Sequence, residues 1–363
     1  MITKAEKAAP LYQRIIDEVT ARIERRELLP GQALPTRPEL AREFGAARAT
    51  VDKALSELLR TGLLEAGSGK RTTVAAVPRK PRLGSIAVLW DWNTDEERQG
   101  GEYLDLLFRG VREACAQHLL TVHFRRAPLH SACDVLKETG ADGILVIRPE
   151  YADGPALDLV AASGVPVVAA PAILDDANFP CLATDNAGGV EAAVSHLAEM
   201  GHREIGFLDL TATIPDHFER LQAFLAATAA RGLAVNPDWV FLRHERSPSL
   251  FADALGSWLE RTHPTAILAG DFHMALALLR RLDARGLRVP DDVSVVSFDD
   301  PAAAESLRPP LTTVAQPVSR IGFRAVERLL EFNEGEDIPR FERLPATLVP
   351  RGSVLSRLAV PAR

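Results

Sequence analysis

Lysine runs out early in this chain: none follows Lys137. An enzyme that works through a Schiff base needs a lysine amine, and most of the chain has none to offer. Cysteine is scarce as well. Cys115, Cys133 and Cys181 are odd in number and widely spaced, which excludes a disulfide framework and a zinc site built on paired cysteines. No stretch approaches the roughly 18 apolar residues of a membrane span. The opening MITKAEKAAP lacks the apolar core of a signal peptide, so a cytoplasmic protein with no membrane partner is expected. Gly69-Lys70 is not a phosphate loop. Leu64 stands where the first glycine belongs, and Arg71 replaces the Ser/Thr. Neither G-x-S-x-G nor H-E-x-x-H occurs. His118 and His123 come nearest to ligand spacing, but they straddle a helix end and a strand. No metal, no cofactor and no enzymatic activity is expected.

What is present is an ordinary globular composition, 47% hydrophobic and 25% charged, over 363 residues. That length suggests two or three domains. The charge is uneven. Residues 1–80 hold 15 Lys+Arg against 10 Asp+Glu, a net of +5, and the remainder holds 27 against 39, a net of −12. A basic head on an acidic body points to a polyanionic partner for the head.

The head reads as helix, helix–turn–helix and hairpin. Pro10 opens a helix with apolar positions Leu11, Ile15, Ile16, Val19 and Ile23; its missing N–H would lack a partner there anyway. Thr36 and Glu39 form a capping box, with Pro38 inside the first turn. A short helix buries Leu40 and Phe44. A second helix, over residues 47–60, buries Val51, Leu55, Leu58 and Leu59 and stops at Gly62. Residues 63–65 and 72–74 then read as two strands around Gly67-Ser68-Gly69. This is a winged helix. The words PLYQRIIDEVTARIERRELLPGQALPTRPELAREFGAARATVDKALSELLRTGLLEAGSGKRTTV resemble the GntR-type DNA-binding domain across residues 10–74.

The resemblance implies that the helix at 47–60 enters the major groove with its N-terminal end toward the bases. Arg48 occupies the family's arginine position. Thr50, Asp52 and Lys53 share that end, Thr36 and Arg37 open the preceding helix, and Ser68, Gly69 and Lys70 form the wing tip. Three departures stand out. Pro38 stands where the family usually has arginine, with Arg37 one position earlier. Asp52 often is arginine, and Ala47 often a Ser/Thr cap. Asp52 would repel phosphate but could accept from a cytosine amino group.

Residues 77–81, VPRKP, read as an extended linker. Beyond it the chain is organised around residues 264–300, which read as strand, helix, strand. Ala266–Ala269 is a short apolar run. Met274, Leu276, Leu278, Leu279 and Leu282 then fall at helical spacing, and Val293, Val295, Val296 and Phe298 make a buried strand. Both strands end in acid, Asp271 and Asp299-Asp300, at the carboxyl ends where open parallel sheets bind ligands. The bland alternative is that these acids only cap helices and turns. Upstream strands near residues 85–90, 120–124, 143–147 and 166–169 alternate with helical segments; residues 91–101 read as a loop. Together with ATDNAGGVEAAVSHLAEMGHREIGFL, LRPPLTTVAQPVSRIGFRAVERLL and LPATLVPRGSV, this stretch resembles the effector domain of LacI-type repressors. That domain shares its fold with periplasmic sugar-binding proteins.

The expected architecture is therefore α/β: an N-terminal winged helix-turn-helix (1–76), a linker (77–82) and a two-subdomain, periplasmic-binding-protein-like parallel α/β domain (83–363). By resemblance the first subdomain spans about 83–185 and 317–343, the second about 186–316 and 344–356, with a ligand cleft between them. The resemblance implies that Arg220 binds sugar hydroxyls, although a helix-surface ion pair is the plain alternative. Asp299 matches the first acid of the family's Asp pair. Asp271 matches the acid of its Asn-Asp pair, whose Asn is here Gly270. Trp90, Trp92 and Phe272 could stack on a sugar face or lie in the core. Arg148 suits an acidic effector or pairs with Glu150. A homodimeric repressor of carbohydrate genes, released from operator DNA by a sugar-like effector, is the expected function. An intracellular solute-binding protein with a vestigial head and a corepressor-dependent regulator are the alternatives. GntR-type heads also precede pyridoxal-phosphate enzymes, which the missing late lysine excludes.

Overall fold

The computed structural model describes residues 10–25, 27–66, 71–75, 83–91, 94–210, 213–233, 236–244 and 247–358. The chain divides into two compact units, residues 1–84 with 330–337, and residues 85–329 with 338–363.

In the head, α1 (Leu11–Glu24), α2 (Arg37–Glu43) and α3 (Arg48–Arg60) precede the short antiparallel pair β1 (Leu64–Ala66) and β2 (Thr72–Val74). An isolated bridge from Ala33 to Thr73 adds a third edge to this pair. The capping box forms: the Thr36 backbone N–H and hydroxyl both donate to Glu39 Oε2 at 2.7 Å. Ile15, Val19, Leu40, Val51, Ala54, Leu55 and Leu58 make the core. The helical spacing of the sequence thus becomes one apolar seam between α1 and α3.

The body holds two six-stranded sheets. The first contains β3 (Ser85–Trp90), β4 (Thr121–Arg126), β5 (Gly143–Ile147), β6 (Val167–Ala170), β7 (Cys181–Asp185) and β13 (Phe341–Pro345), in the order β13-β7-β6-β5-β3-β4, all parallel. The second contains β8 (Ile205–Leu210), β9 (Val240–Arg243), β10 (Ala266–Ala269), β11 (Ser294–Phe298), β12 (Thr312–Ala315) and β14 (Thr347–Val349), in the order β14-β12-β11-β10-β8-β9. Only β14 runs antiparallel.

Helices connect the strands. α4 (Thr94–His118), α5 (Ala132–Thr139), α6 (Gly154–Ala162) and α12 (Val318–Glu334) accompany the first sheet; α7 (Asn186–Glu199), α8 (Pro215–Ala230), α9 (Pro248–Thr262), α10 (Phe272–Asp283) and α11 (Ala302–Ser306) accompany the second. The chain leaves the first sheet after β7, returns after β12 and leaves again between β13 and β14. Strands buried on both faces read as apolar runs rather than alternations; β5, β6, β10 and β11 are buried throughout.

Most element bounds fall within a residue or two of the sequence reading, and one stretch differs. The expected loop at 91–101 becomes helix from Thr94. Gly100-Gly101 looks like a breaker, but Thr94 followed by Asp95, Glu96 and Glu97 is a helix-start pattern, and it prevails. α10 ends at Asp283, where a turn leads into the left-handed Gly286.

Candidate functional site

The head offers the first candidate surface. Arg48 opens α3 with 78% of its side chain exposed. Thr50 is half-buried in the first turn of α3, and its N–H is bonded to the Ala47 carbonyl. Thr36 spends its hydroxyl on Glu39. Lys53 Nζ sits 3.9 Å from the ring centre of Tyr12 on α1. Asp52 does not stand alone: its Oδ1 receives Arg37 Nε at 2.7 Å. Ser68, Gly69 and Lys70 lie outside the described residues.

The body places the second site between its two sheets. Arg220, on α8, is 3% exposed. Its Nε donates to Asn186 Oδ1 at 2.8 Å and its Nη1 to the Gly270 carbonyl at 2.6 Å, while the guanidinium lies 4.3 Å from the Phe298 ring centre. The helix-surface ion pair is thereby excluded. Asn186 in turn donates to Asp216 and Glu219, each at 3.1 Å. Burial pushes the Asp216 carboxyl above its usual range, against the pull of Arg220.

Asp299 follows β11 with a left-handed φ of 68°, and Arg148 follows β5 with a φ of 51°. Non-glycine residues rarely hold that conformation, and it tends to gather at functional sites. Asp299 Oδ1 receives Gln316 Nε2 at 2.6 Å, and Gln316 Oε1 accepts from Thr184 at 2.6 Å. Burial raises the Asp299 pKa, with Arg220 opposing. The Tyr103 hydroxyl, from α4, is pushed far up by burial and by Asp216 and Asp299, so a phenol of the first half shares this field.

The two strand-end acids therefore divide. Asp271 is a helix cap, its Oδ1 accepting from Met274 N–H at 2.6 Å. Phe272 is 7% exposed in the core with Leu208, Met274 and Leu278, which corrects its proposed role as a stacking platform. Trp90 packs against Phe108 and Phe124, with ring centres 5.0 and 6.5 Å away. Trp92 lies outside the described residues.

The sequence reading missed Asp209 and His217. His217 Nδ1 lies 2.5 Å from Asp209 Oδ1, and its Nε2 lies 3.4 Å from Arg148 Nη2. Asp209 is fully buried, and its Oδ2 has no hydrogen-bond partner. A Cβ on Gly270 would meet this carboxylate at 2.0 Å. The missing family Asn and the presence of Asp209 are thus one steric fact. Nothing local in the sequence pairs residues 209, 217 and 270.

Three successive residues of α8 reach the first half: His217 to Arg148, Phe218 edge-on to Tyr151 with ring centres 6.4 Å apart, and Glu219 to Arg343. Beside these contacts Arg220 is buried, whereas Asp299 stays partly exposed. Open space remains at the mouth of the cleft, lined by Asp91, Leu129, Arg148, Glu150, Ala152 and Asp153 from one half and Ile214 from the other. Among the described residues no group of His, Cys, Asp and Glu could hold a metal ion, and no helix is long and apolar enough to cross a membrane.

Comparison with known proteins gives two families. Residues 11–74 match the bacterial regulatory proteins of the gntR family, and residues 194–354 match the periplasmic binding protein-like domain. The HTH-type transcriptional repressor PurR of Pasteurella multocida is 33% identical over 230 residues, 62% of this chain and 68% of that one. Among solved structures, the regulator CelR in complex with cellobiose is 24% identical at a TM-score of 0.67, covering 88% of this chain and 100% of its own. The Lac repressor dimer bound to operator is 22% identical at a TM-score of 0.66, covering 76% and 95%. These relatives are transcriptional regulators, not enzymes. The chain belongs to the LacI-type transcriptional regulators, with a GntR-type winged helix-turn-helix in front of the periplasmic-binding-protein-like body.

Proposed function

We propose that this chain is a homodimeric repressor of carbohydrate-utilisation genes that leaves its operator when a sugar-like molecule binds between the two halves of the body. One observation carries the coupling. Arg220, the donor best placed for ligand hydroxyls, sits directly after the three α8 residues that clasp the other half. A ligand that draws Arg220 away from Asn186 and Gly270 disturbs that clasp. Asp299 supplies the matching acceptor, shared with Gln316. The repressor relative supports repression, and the cellobiose complex of CelR supports a sugar.

Thermal-shift screening against sugars, sugar phosphates and nucleosides identifies the class. Sugars are expected to raise the melting temperature; a response confined to nucleosides sinks the sugar reading. Arg220→Ala and Asp299→Ala should each lose about 1–3 kcal/mol of effector binding, because each leaves a desolvated partner unmatched. Both should still bind operator. Unchanged effector affinity in both variants removes these residues from the site.

A further inference from the structure

Arg37 opens α2 and Arg48 opens α3, and one acid stands between them. Asp52 lies four residues after Arg48. Its Oδ1 receives Arg37 Nε at 2.7 Å, and Arg48 Nε lies 3.9 Å from its Oδ2. Arg37 and Asp52 are partly covered, whereas Arg48 is the most exposed of the three. Alone, an acid near the leading end of a DNA-reading helix works against binding, because duplex DNA presents dense negative charge. Placed between two arginines, the same acid does something else. Arg37, hydrogen-bonded through Nε, keeps both terminal nitrogens for a bidentate contact, the geometry that matches O6 and N7 of guanine, and Arg48 lies in ion-pair range of the same carboxylate. Anchoring also removes rotamer freedom before binding, so less is lost on contact.

We propose that Asp52 is a positioning residue that makes Arg37 and Arg48 a single reading unit, and that this unit takes guanines at two positions of the operator half-site. The proposal rests on the reading of the chain as an operator-binding protein. It differs from a cytosine-reading role for Asp52, since the acid touches the arginines and not the DNA. It also explains two departures from the GntR pattern together: the arginine displaced to position 37 and the acid at position 52 are partners.

The test is selection from randomised duplexes by the full-length chain, followed by titration of the selected site at several salt concentrations. Wild type is expected to select guanine at two positions. Arg37→Ala should lose one and Arg48→Ala the other. Asp52→Asn should weaken both preferences, by about tenfold each, with the salt slope unchanged. Asp52→Glu should restore part of the preference, and it serves as the reading variant if circular dichroism shows Asp52→Asn to be unfolded. Arg37→Ala combined with Asp52→Asn should be no worse at the Arg37 position than Arg37→Ala alone. Three results overturn the proposal: both guanine preferences intact in Asp52→Asn; a uniform gain of affinity for all duplexes, which makes Asp52 a mere phosphate repellent; or loss at a cytosine position that Arg37→Ala leaves alone. A wild-type chain that selects no sequence overturns the operator-binding reading itself, and this proposal with it.

Discussion

At the scale of single residues, Gly270 and His202 each turn a packing detail into a measurable quantity. The Asp209 carboxylate occupies the space where a side chain at position 270 would begin. Gly270→Asn should therefore destabilise the body and abolish the effector response. Combined with Asp209→Ala, the same change should cost less than the sum of the two, since residues in contact do not add. Additive losses in urea melts would show that the two sites are independent. His202 is fully buried, with Nδ1 3.1 Å from Thr265 Oγ1 and Nε2 3.1 Å from the Leu355 carbonyl. Burial and then the Arg357 charge lower its pKa to about 4 from the ordinary 6.5. The unfolded chain therefore binds a proton more readily than the native one. Stability is full above about pH 6.5 and falls as the pH drops through that value toward 4, by about 3 kcal/mol in all. Urea unfolding at pH 7 and pH 4.5 should show most of this loss in wild type and a much shallower one in His202→Gln; equal slopes would place the acid sensitivity elsewhere.

Two backbones approach closely where α4 crosses α12. A Cβ on Gly110 would stand 1.8 Å from the Ser319 carbonyl oxygen, and a Cβ on Gly322 would stand 2.1 Å from the Leu107 carbonyl oxygen. Both obstacles are backbone, so the helices must part to admit a methyl group. Gly110→Ala should cost about 3 kcal/mol, the upper end for overpacking. An unchanged denaturation midpoint would mean that this crossing adapts freely. The beginning of α8 is the other telling element. Its residues 217–219 are consecutive, yet each meets a different element of the first half. A helix displays successive side chains about 100° apart, which lets one turn touch three partners around a closing cleft.

At the scale of the molecule, the proposed switch must obey linkage. Different effector affinities in the operator-bound and released states are required, and the coupling is reciprocal. Operator DNA should weaken an inducing sugar by the same factor by which the sugar weakens operator binding. Calorimetry with and without operator checks this. Tighter binding on DNA would identify a corepressor, and equal affinities would mean no equilibrium coupling. Paired heads reading two half-sites predict a dimer at micromolar concentration. Sedimentation that finds only monomer, with operator present or absent, would contradict it.

The sequence by itself determined what depends on near neighbours. The apolar spacing of α1, α3 and α10, the Thr36–Glu39 capping box, the alternation of buried strands with helices and the missing lysines are all local or compositional facts, and they were enough for both folds. The strand end pointed to Asp299, whereas Arg220 came from the resemblance to LacI-type repressors and not from any local pattern. Tertiary structure decided which polar groups answer one another. Asp52 became a partner of Arg37, Phe272 went into the core, Asp271 settled as a cap, and Asp209 and His217 entered the cleft unannounced. Each of those outcomes depends on distances between residues that a loop or a crossover separates. A hydrogen bond is decided within a few tenths of an ångström, whereas periodicity specifies only which face of an element a residue occupies.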